Sequence, residues 1–125
     1  IKELKSMIKE SDAVLFVTPE YNYSVPGYLK NAIDWATRPY TDNSFFDKPA
    51  AIISISTGML GGARAQYALR QIGIFINIHF MNLPEAMIPN VKEKIVDGII
   101  IDEYTKGKIT GLLTALAEWT NRLKK

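Results

Sequence analysis

The chain has 125 residues, of which 47% are hydrophobic and 22% are charged, and its net charge is +2. This composition predicts one ordinary soluble domain over residues 1–125. The absence of cysteine excludes disulfides and thiolate chemistry and is typical of a reducing, cytoplasmic location. Charges are mixed without a basic stripe and no apolar run could span a bilayer, so we expect neither a nucleic-acid nor a membrane partner.

Helical and strand patterns alternate along the chain. The helical segments place apolar residues every three or four positions. The strand at 13–17 is an unbroken apolar run and the strand at 50–55 is of a similar buried type, as in parallel sheets buried on both faces. Pro26 suits the first position of a helix, and Arg38-Pro39 ends that helix. In chain order, the prediction is helix 2–10, strand 13–17, helix 26–38, strand 50–55, helix 63–75, strand 78–82 and helix 103–122.

This alternation predicts βαβ units and hence an α/β fold, a doubly wound parallel sheet with helices on both faces. In residues 86–102 the apolar positions follow neither the helical nor the strand period, so no secondary structure is predicted there. In open sheets of this kind, ligands bind beyond the carboxyl ends of the strands. Two connections occupy that position, residues 18–25 and residues 56–62, and both are richer in functional groups than a connection requires.

The first connection contains groups suited to a planar ligand. Tyr21 and Tyr23 offer flat surfaces with a polar tip, and Pro19 restricts the backbone so that the following amides can face a ligand. Asn22 and Ser24 can hold the turn through hydrogen bonds to the backbone, and Ser24 can also cap the next helix. A second interpretation stays open, in which the tyrosines only cover the end of the sheet.

The second connection is glycine-rich, with Gly58, Gly61 and Gly62. Glycines allow a close approach of the backbone to a ligand, but they equally serve plain turns. The segment is not a Walker phosphate loop, because the Gly-Lys-Ser/Thr ending is missing and Arg64 follows instead.

Two stretches are specific enough to carry a family resemblance. The first is Thr18–Gly27 followed by Leu29–Trp35, and the second is Gly61–Arg64 with Leu69–Gln71. Together they closely resemble the NAD(P)H-dependent FMN reductase family, and within it the chromate, quinone and azo-dye reductases. The likeness extends from the first helix to the last. It implies a flavodoxin-like fold that binds FMN noncovalently and uses NAD(P)H.

The resemblance also implies an oxidoreductase. NAD(P)H delivers a hydride to the flavin, and a quinone, azo compound, metal oxyanion or free flavin then takes the electrons. Because the flavin carries the chemistry, we expect no catalytic side chain and no metal, and the choice between NADH and NADPH stays open. The residues implied to bind the cofactor are Pro19, Glu20, Tyr21, Asn22, Tyr23, Ser24, Val25, Pro26, Gly27, Ser56, Thr57 and Gly58.

The start of the chain departs from the family pattern. Family members begin with a strand and a loop resembling Gly-Ser-x-Arg-x-x-Ser that holds the FMN phosphate, and no such loop occurs before residue 11. We therefore expect an N-terminally truncated flavodoxin-like domain with weakened FMN binding, because each lost charge-assisted hydrogen bond costs roughly 1.5–3 kcal/mol. A homodimer or homotetramer would cover the exposed sheet flank.

Two alternative functions stay open. One is a flavodoxin-type electron carrier, against which the net charge of +2 argues, since such carriers are usually acidic. The other is a flavin-free remnant that only oligomerises.

Three further features have structural interpretations. His79 lies in an apolar segment, which favours a packed structural histidine over a catalytic one. Arg64 has two interpretations. It is either a solvated helix residue, or it binds an NADPH phosphate or forms an ion pair at an interface, for example with Glu85. Ile74, Phe75 and Ile76 extend the apolar surface of helix 62–76 beyond one face, which predicts dimerisation through this helix.

Overall fold

The computed structural model describes residues 1–125 and contains five α-helices, six β-strands and a 3₁₀ turn at Tyr40–Asp42. The predicted alternation of helices and strands is confirmed. None of the helices combines the length and apolar character needed to cross a membrane. In chain order, the elements are α1 (Lys2–Glu10), β1 (Val14–Pro19), α2 (Gly27–Ala36), β2 (Pro49–Ile55), α3 (Ala63–Ile76), β3 (His79–Phe80), β4 (Ala86–Ile88), α4 (Val91–Lys94), β5 (Ile95–Val96), β6 (Ile99–Ile100) and α5 (Glu103–Leu123).

The main sheet is parallel and is built around β2. Strand β1 pairs with β2 along its whole length, with Pro19 opposite Ile55 at the carboxyl end. On the other side of β2, β3 pairs near its start and β4 pairs near its end, where Ala86 lies opposite Ile53. A parallel sheet brings the carboxyl ends of its strands to one edge. The connections after β1 and β2 therefore leave the sheet side by side.

Helices cover β2 on both faces, because its side chains alternate between them. One face packs into a front cluster below α1, α2 and α3, and the other packs into a back cluster below α5. The front cluster contains Ile8, Phe16, Ile33, Ala36, Phe45, Ala50, Ile52, Leu69, Ile76 and Ile78. The back cluster contains Ala51, Ile53, Met81, Ala86, Ile88, Leu112 and Leu116. The strand predicted at 50–55 is therefore buried on both faces, as expected.

Strand β1 is buried on one face only, and the prediction of burial on both faces is wrong for this strand. Phe16 and Thr18 are buried, whereas Leu15 is 37% exposed and Val17 is 61% exposed. The cause is the position of α5, which lies over β2 and β4 and leaves the same face of β1 uncovered.

The strand predicted at 78–82 is shortened to β3, and an interruption at residues 81–85 separates it from β4. Pro84 lies in this interruption, and proline cannot donate to a strand ladder. The unassigned stretch 86–102 contains β4, α4 and a hairpin of β5 and β6. The hairpin turn, Asp97-Gly98, has positive φ at both residues, as a tight two-residue turn requires.

Helix α2 is shorter than predicted. It begins at Gly27, with Pro26 as the preceding cap residue, and it ends at Ala36. The backbone N–H of the following residue, Thr37, closes the last turn onto Ile33. These differences leave the two strand-end connections in their predicted places.

Candidate functional site

The connection after β1 contains a tight turn. The backbone N–H of Tyr21 donates to the Ser24 oxygen at 2.9 Å, and the Ser24 N–H donates back to the Tyr21 oxygen at 3.0 Å. The two residues between them, Asn22 and Tyr23, both lie in the left-handed region, with φ of 50° and 68°. Asparagine tolerates this conformation, but for tyrosine it carries a cost of about 1–2 kcal/mol. Such local strain is concentrated at functional sites.

The same turn presents free donors beside aromatic rings. The N–H groups of Asn22 and Tyr23 make no hydrogen bond within the protein. Tyr21, Tyr23 and Tyr28 are exposed, and the Tyr21 and Tyr28 rings meet edge to face with centroids 6.3 Å apart. Desolvation first, and the neighbouring Tyr21 phenol second, raise the pKa of Tyr28. Its phenol therefore stays neutral at physiological pH.

The connection after β2 is fixed against the end of the sheet. The Ser56 hydroxyl donates to the Gly58 oxygen at 3.0 Å and accepts from the Gly61 N–H at 2.9 Å. The Gly58 oxygen also accepts from the Asn90 N–H at 2.9 Å. Ser56 thus closes the loop with its side chain, whereas Thr57 and Gly58 form its exposed tip.

A buried polar network supports this second loop from below. The Ser54 hydroxyl donates to the Gly61 oxygen at 2.6 Å and accepts from Gln66 Nε2 at 3.1 Å. Gln66 is fully buried and also donates to the Ala86 oxygen at 3.0 Å. Gln66 is not among the functional residues predicted from the sequence. The only available signal was an amide side chain within the apolar stripe of a helix.

Glu20 connects the two loops. Its Oε1 accepts from the Ala65 N–H at 3.0 Å, and its Oε2 lies 3.8 Å from the Arg64 guanidinium. That guanidinium stacks on the Tyr23 ring, 3.9 Å from the centroid. Within the chain, Arg64 therefore pairs with Glu20.

The twelve residues implied to bind a cofactor do not all face the same space. The side chain of Val25 packs against the front cluster and that of Pro26 is fully buried, so only their backbones are available to a ligand. Ser24 does not cap α2, because the cap position belongs to Pro26 and has no side-chain hydrogen bond. The remaining residues lie at the shared carboxyl edge of β1 and β2.

His79 lies at the opposite edge of the sheet. It pairs with Pro49 at the start of β2, about 20 Å from the loops at roughly 3.3 Å per residue. Its ring is partly exposed and contacts Asp47 at 2.6 Å, so the packed environment predicted for it is wrong. The hydrogen bond from His79 first, and that from Lys125 second, lower the pKa of Asp47. The site is distant from this histidine.

The loops fit one part of FMN better than the other. The isoalloxazine ring requires a flat apolar surface and donors to its carbonyl oxygen and ring nitrogen atoms, which the tyrosines and the free amides of Asn22 and Tyr23 supply. A phosphate group requires cations or several amides. Residues 18–25 and 56–62 contain neither lysine nor arginine, and the nearby Arg64 is stacked on Tyr23. The structure contains no cluster of three or more side chains suited to a metal ion.

An open parallel α/β sheet with adjoining loops at the carboxyl ends of its strands is typical of flavodoxin-like proteins, and this chain has that fold. The model of the NADPH-dependent FMN reductase family matches residues 1–93. The chain belongs to this family.

Individual relatives agree with this placement. The chain is 45% identical, over 99% of its length, to an NAD(P)H-dependent FMN reductase of Pseudomonas aeruginosa, and 46% identical to a quinone reductase of Escherichia coli. It covers 67% and 66% of these two proteins. A solved flavoenzyme, NAD(P)H:(acceptor) oxidoreductase of Paracoccus denitrificans, superposes with a TM-score of 0.87 at 44% identity, over 97% of this chain and 67% of that one. The chain thus spans about two thirds of the length of the relatives that it matches.

Proposed function

We propose that the chain is the ring-binding part of an FMN-dependent oxidoreductase that uses NAD(P)H. The observation that carries the proposal is the left-handed turn at Asn22 and Tyr23, which holds two unbonded N–H groups among exposed tyrosine rings. Similarity to enzymes named as FMN and quinone reductases gives the same assignment. When bound, FMN would accept a hydride from NAD(P)H and transfer electrons to a quinone, azo compound, metal oxyanion or free flavin.

The side chains and backbone have separate tasks in this proposal. The Asn22 and Tyr23 amides donate to the polar edge of the ring, and their fixed conformation keeps these donors in place before the ligand arrives. Tyr21 and Tyr23 provide apolar surface beside the ring. Thr57 and Gly58 approach from the second loop, where an absent side chain at Gly58 leaves open space. None of these groups transfers a proton.

A titration of the full chain with FMN tests the proposal, because flavin fluorescence changes when the ring is bound. Stacking of a heteroaromatic ring on an aromatic side chain is worth about 1–3 kcal/mol. Tyr21→Ala and Tyr23→Ala should therefore raise the Kd for FMN by about 5- to 150-fold. Tyr40→Ala is the matched control, since Tyr40 is equally exposed but lies outside both loops. Equal weakening by all three variants, or no binding by the wild type, would contradict the proposal.

Reduction by NAD(P)H is tested separately. Anaerobic mixing of the FMN-loaded chain with NADPH or NADH should bleach the flavin absorbance, and addition of a quinone should restore it. A chain that binds FMN but is not bleached by either nucleotide would be an electron carrier and not a reductase.

We also propose that the protein is a cytoplasmic homo-oligomer, with α3 in the contact between subunits. Ile74 and Phe75 at the end of α3 are 80% and 78% exposed, and Leu83 is exposed as well. Sedimentation should detect a dimer or larger species that Phe75→Glu shifts towards monomer. Tyr104→Glu, an equally exposed change on α5, should have no such effect. A wild-type monomer at micromolar concentration would refute this contact.

A further inference from the structure

The carboxylate of Glu20 caps a helix from a distant part of the chain. Helix α3 begins after Gly62, which has no side chain to satisfy the free N–H groups of the first turn. Glu20 Oε1 accepts from one of them, Ala65 N–H, at 3.0 Å, and the negative charge is favourable at the positive end of the helix. The Glu20 side chain is only 14% exposed, so little of it remains available to a ligand.

This contact is the only hydrogen bond between residues 20–25 and residues 56–66. A second, aromatic contact accompanies it, because the Arg64 guanidinium lies between the Glu20 carboxylate and the Tyr23 ring. The strand pairing that aligns the two loops ends at Pro19 and Ile55. Beyond that point, the contacts of Glu20 and Arg64 are the hydrogen bond, ion pair and cation–π contact that join residues 20–23 to the start of α3.

We propose that Glu20 is a positioning residue, which sets the place of the turn at residues 21–24 relative to α3 and the second loop. The carboxylate acts through the backbone and does not contact the flavin. The consequence for ligand binding rests on the proposed function, since it assumes that the ring is held between these loops. The mechanical part, fixation of the turn by α3, does not depend on any ligand.

Amide hydrogen exchange of the ligand-free full chain tests the mechanical part. Glu20→Ala should accelerate exchange about tenfold or more at the hydrogen-bonded amides of Tyr21 and Ser24 and in residues 63–66, because a charge-assisted bond has been removed. Glu20→Gln keeps an acceptor for Ala65 N–H but loses the charge opposite Arg64, so its effect should be smaller. Glu103→Ala is the matched control, because Glu103 also lies in the first turn of a helix but is exposed.

FMN titration of the same variants tests the functional part. The Kd should rise about tenfold or more in Glu20→Ala, less in Glu20→Gln and not in Glu103→Ala. Faster exchange at residues 63–66 alone would show that Glu20 is only a helix cap. Weaker FMN binding with unchanged exchange would show that Glu20 contacts the ligand directly. Either result overturns the inference. If the wild type binds no FMN, the proposed function fails while the exchange data still decide the role of Glu20. Should Glu20→Ala not fold, Glu20→Gln decides on the same criteria.

Discussion

Replacement of Gly61 by alanine tests how tightly the second loop is held against the sheet. Gly61 has a φ of +63°, and a Cβ at this position would stand 2.6 Å from the Met87 carbonyl carbon and 2.8 Å from the Ile88 nitrogen. Both atoms belong to the backbone of β4 and cannot rotate away. The substitution therefore combines an unfavourable backbone conformation with a steric clash.

The two contributions can be estimated and separated. A left-handed non-glycine residue costs about 1–2 kcal/mol, and overpacking costs about 1–3 kcal/mol, so Gly61→Ala should lower the free energy of unfolding by about 2–5 kcal/mol. Gly98 has a φ of +75° but nothing within 4 Å of its Cβ position. Gly98→Ala should therefore lower the free energy of unfolding only by the backbone contribution, about 1–2 kcal/mol. Gly107 lies within α5, and a Cβ at this position would meet no other atom within 4 Å. Gly107→Ala should therefore raise the free energy of unfolding by about 0.5–1 kcal/mol.

Urea unfolding of the three variants measures these differences under identical conditions. From the most to the least stable, the predicted order is Gly107→Ala, wild type, Gly98→Ala and Gly61→Ala. Equal losses for Gly61→Ala and Gly98→Ala would refute the claim that the loop is sterically confined by β4.

Two further predictions concern a surface charge and a buried amide. Hydrogen bonds from Lys5 first and Lys9 second lower the pKa of Asp42 from 3.8 to about 2. The stabilisation by this carboxylate is therefore complete above about pH 4 and is lost as the pH falls through about 2. Urea unfolding should show Asp42→Asn less stable than the wild type at pH 7, with a difference that shrinks towards pH 2; a constant difference would contradict the assignment. Gln66→Leu should cost about 1–3 kcal/mol, because it leaves the buried Ala86 oxygen without its donor. Thermal unfolding measures this loss, and an unchanged midpoint would show that the network contributes nothing.

The sequence predicts most of the fold because the central strand has an unambiguous pattern. Only Ser54 interrupts the apolar run of residues 50–55, and the structure buries this strand on both faces. Strand β1 has the same apolar character, but one of its faces is not covered by a helix. The exposure of Leu15 shows that the composition of a strand does not indicate whether both of its faces are covered. In 86–102, the Asp97-Gly98 dipeptide between apolar pairs is a hairpin signal. The hairpin is difficult to detect because each of its strands has only two residues.

The location of the two loops is predictable from sequence, whereas the contacts that join them to the rest of the fold are not. The two loops can be found because they follow apolar strands in a parallel sheet. The contact of Glu20 with Ala65 joins positions far apart in the chain, and no periodic pattern reports it. The left-handed conformation of Tyr23 is equally hidden, because tyrosine is not a residue that this conformation favours. The contact of Glu20 with Ala65 arises only when the folded sheet has brought the first loop to α3, whereas the conformation of Tyr23 belongs to the turn that Tyr21 and Ser24 close.

The parallel arrangement of the main sheet has a kinetic consequence. No two of its strands are joined by a turn, and Val14 meets Ala50 only after α2 and the connection behind it have closed into a loop. The entropy of that closure opposes pairing until the contacts form, and sheets of this kind fold more slowly than structures built from local contacts. Helices and the β5–β6 hairpin can form early from neighbouring residues. The two loops become a site only when the non-local pairing of β1 with β2 is complete.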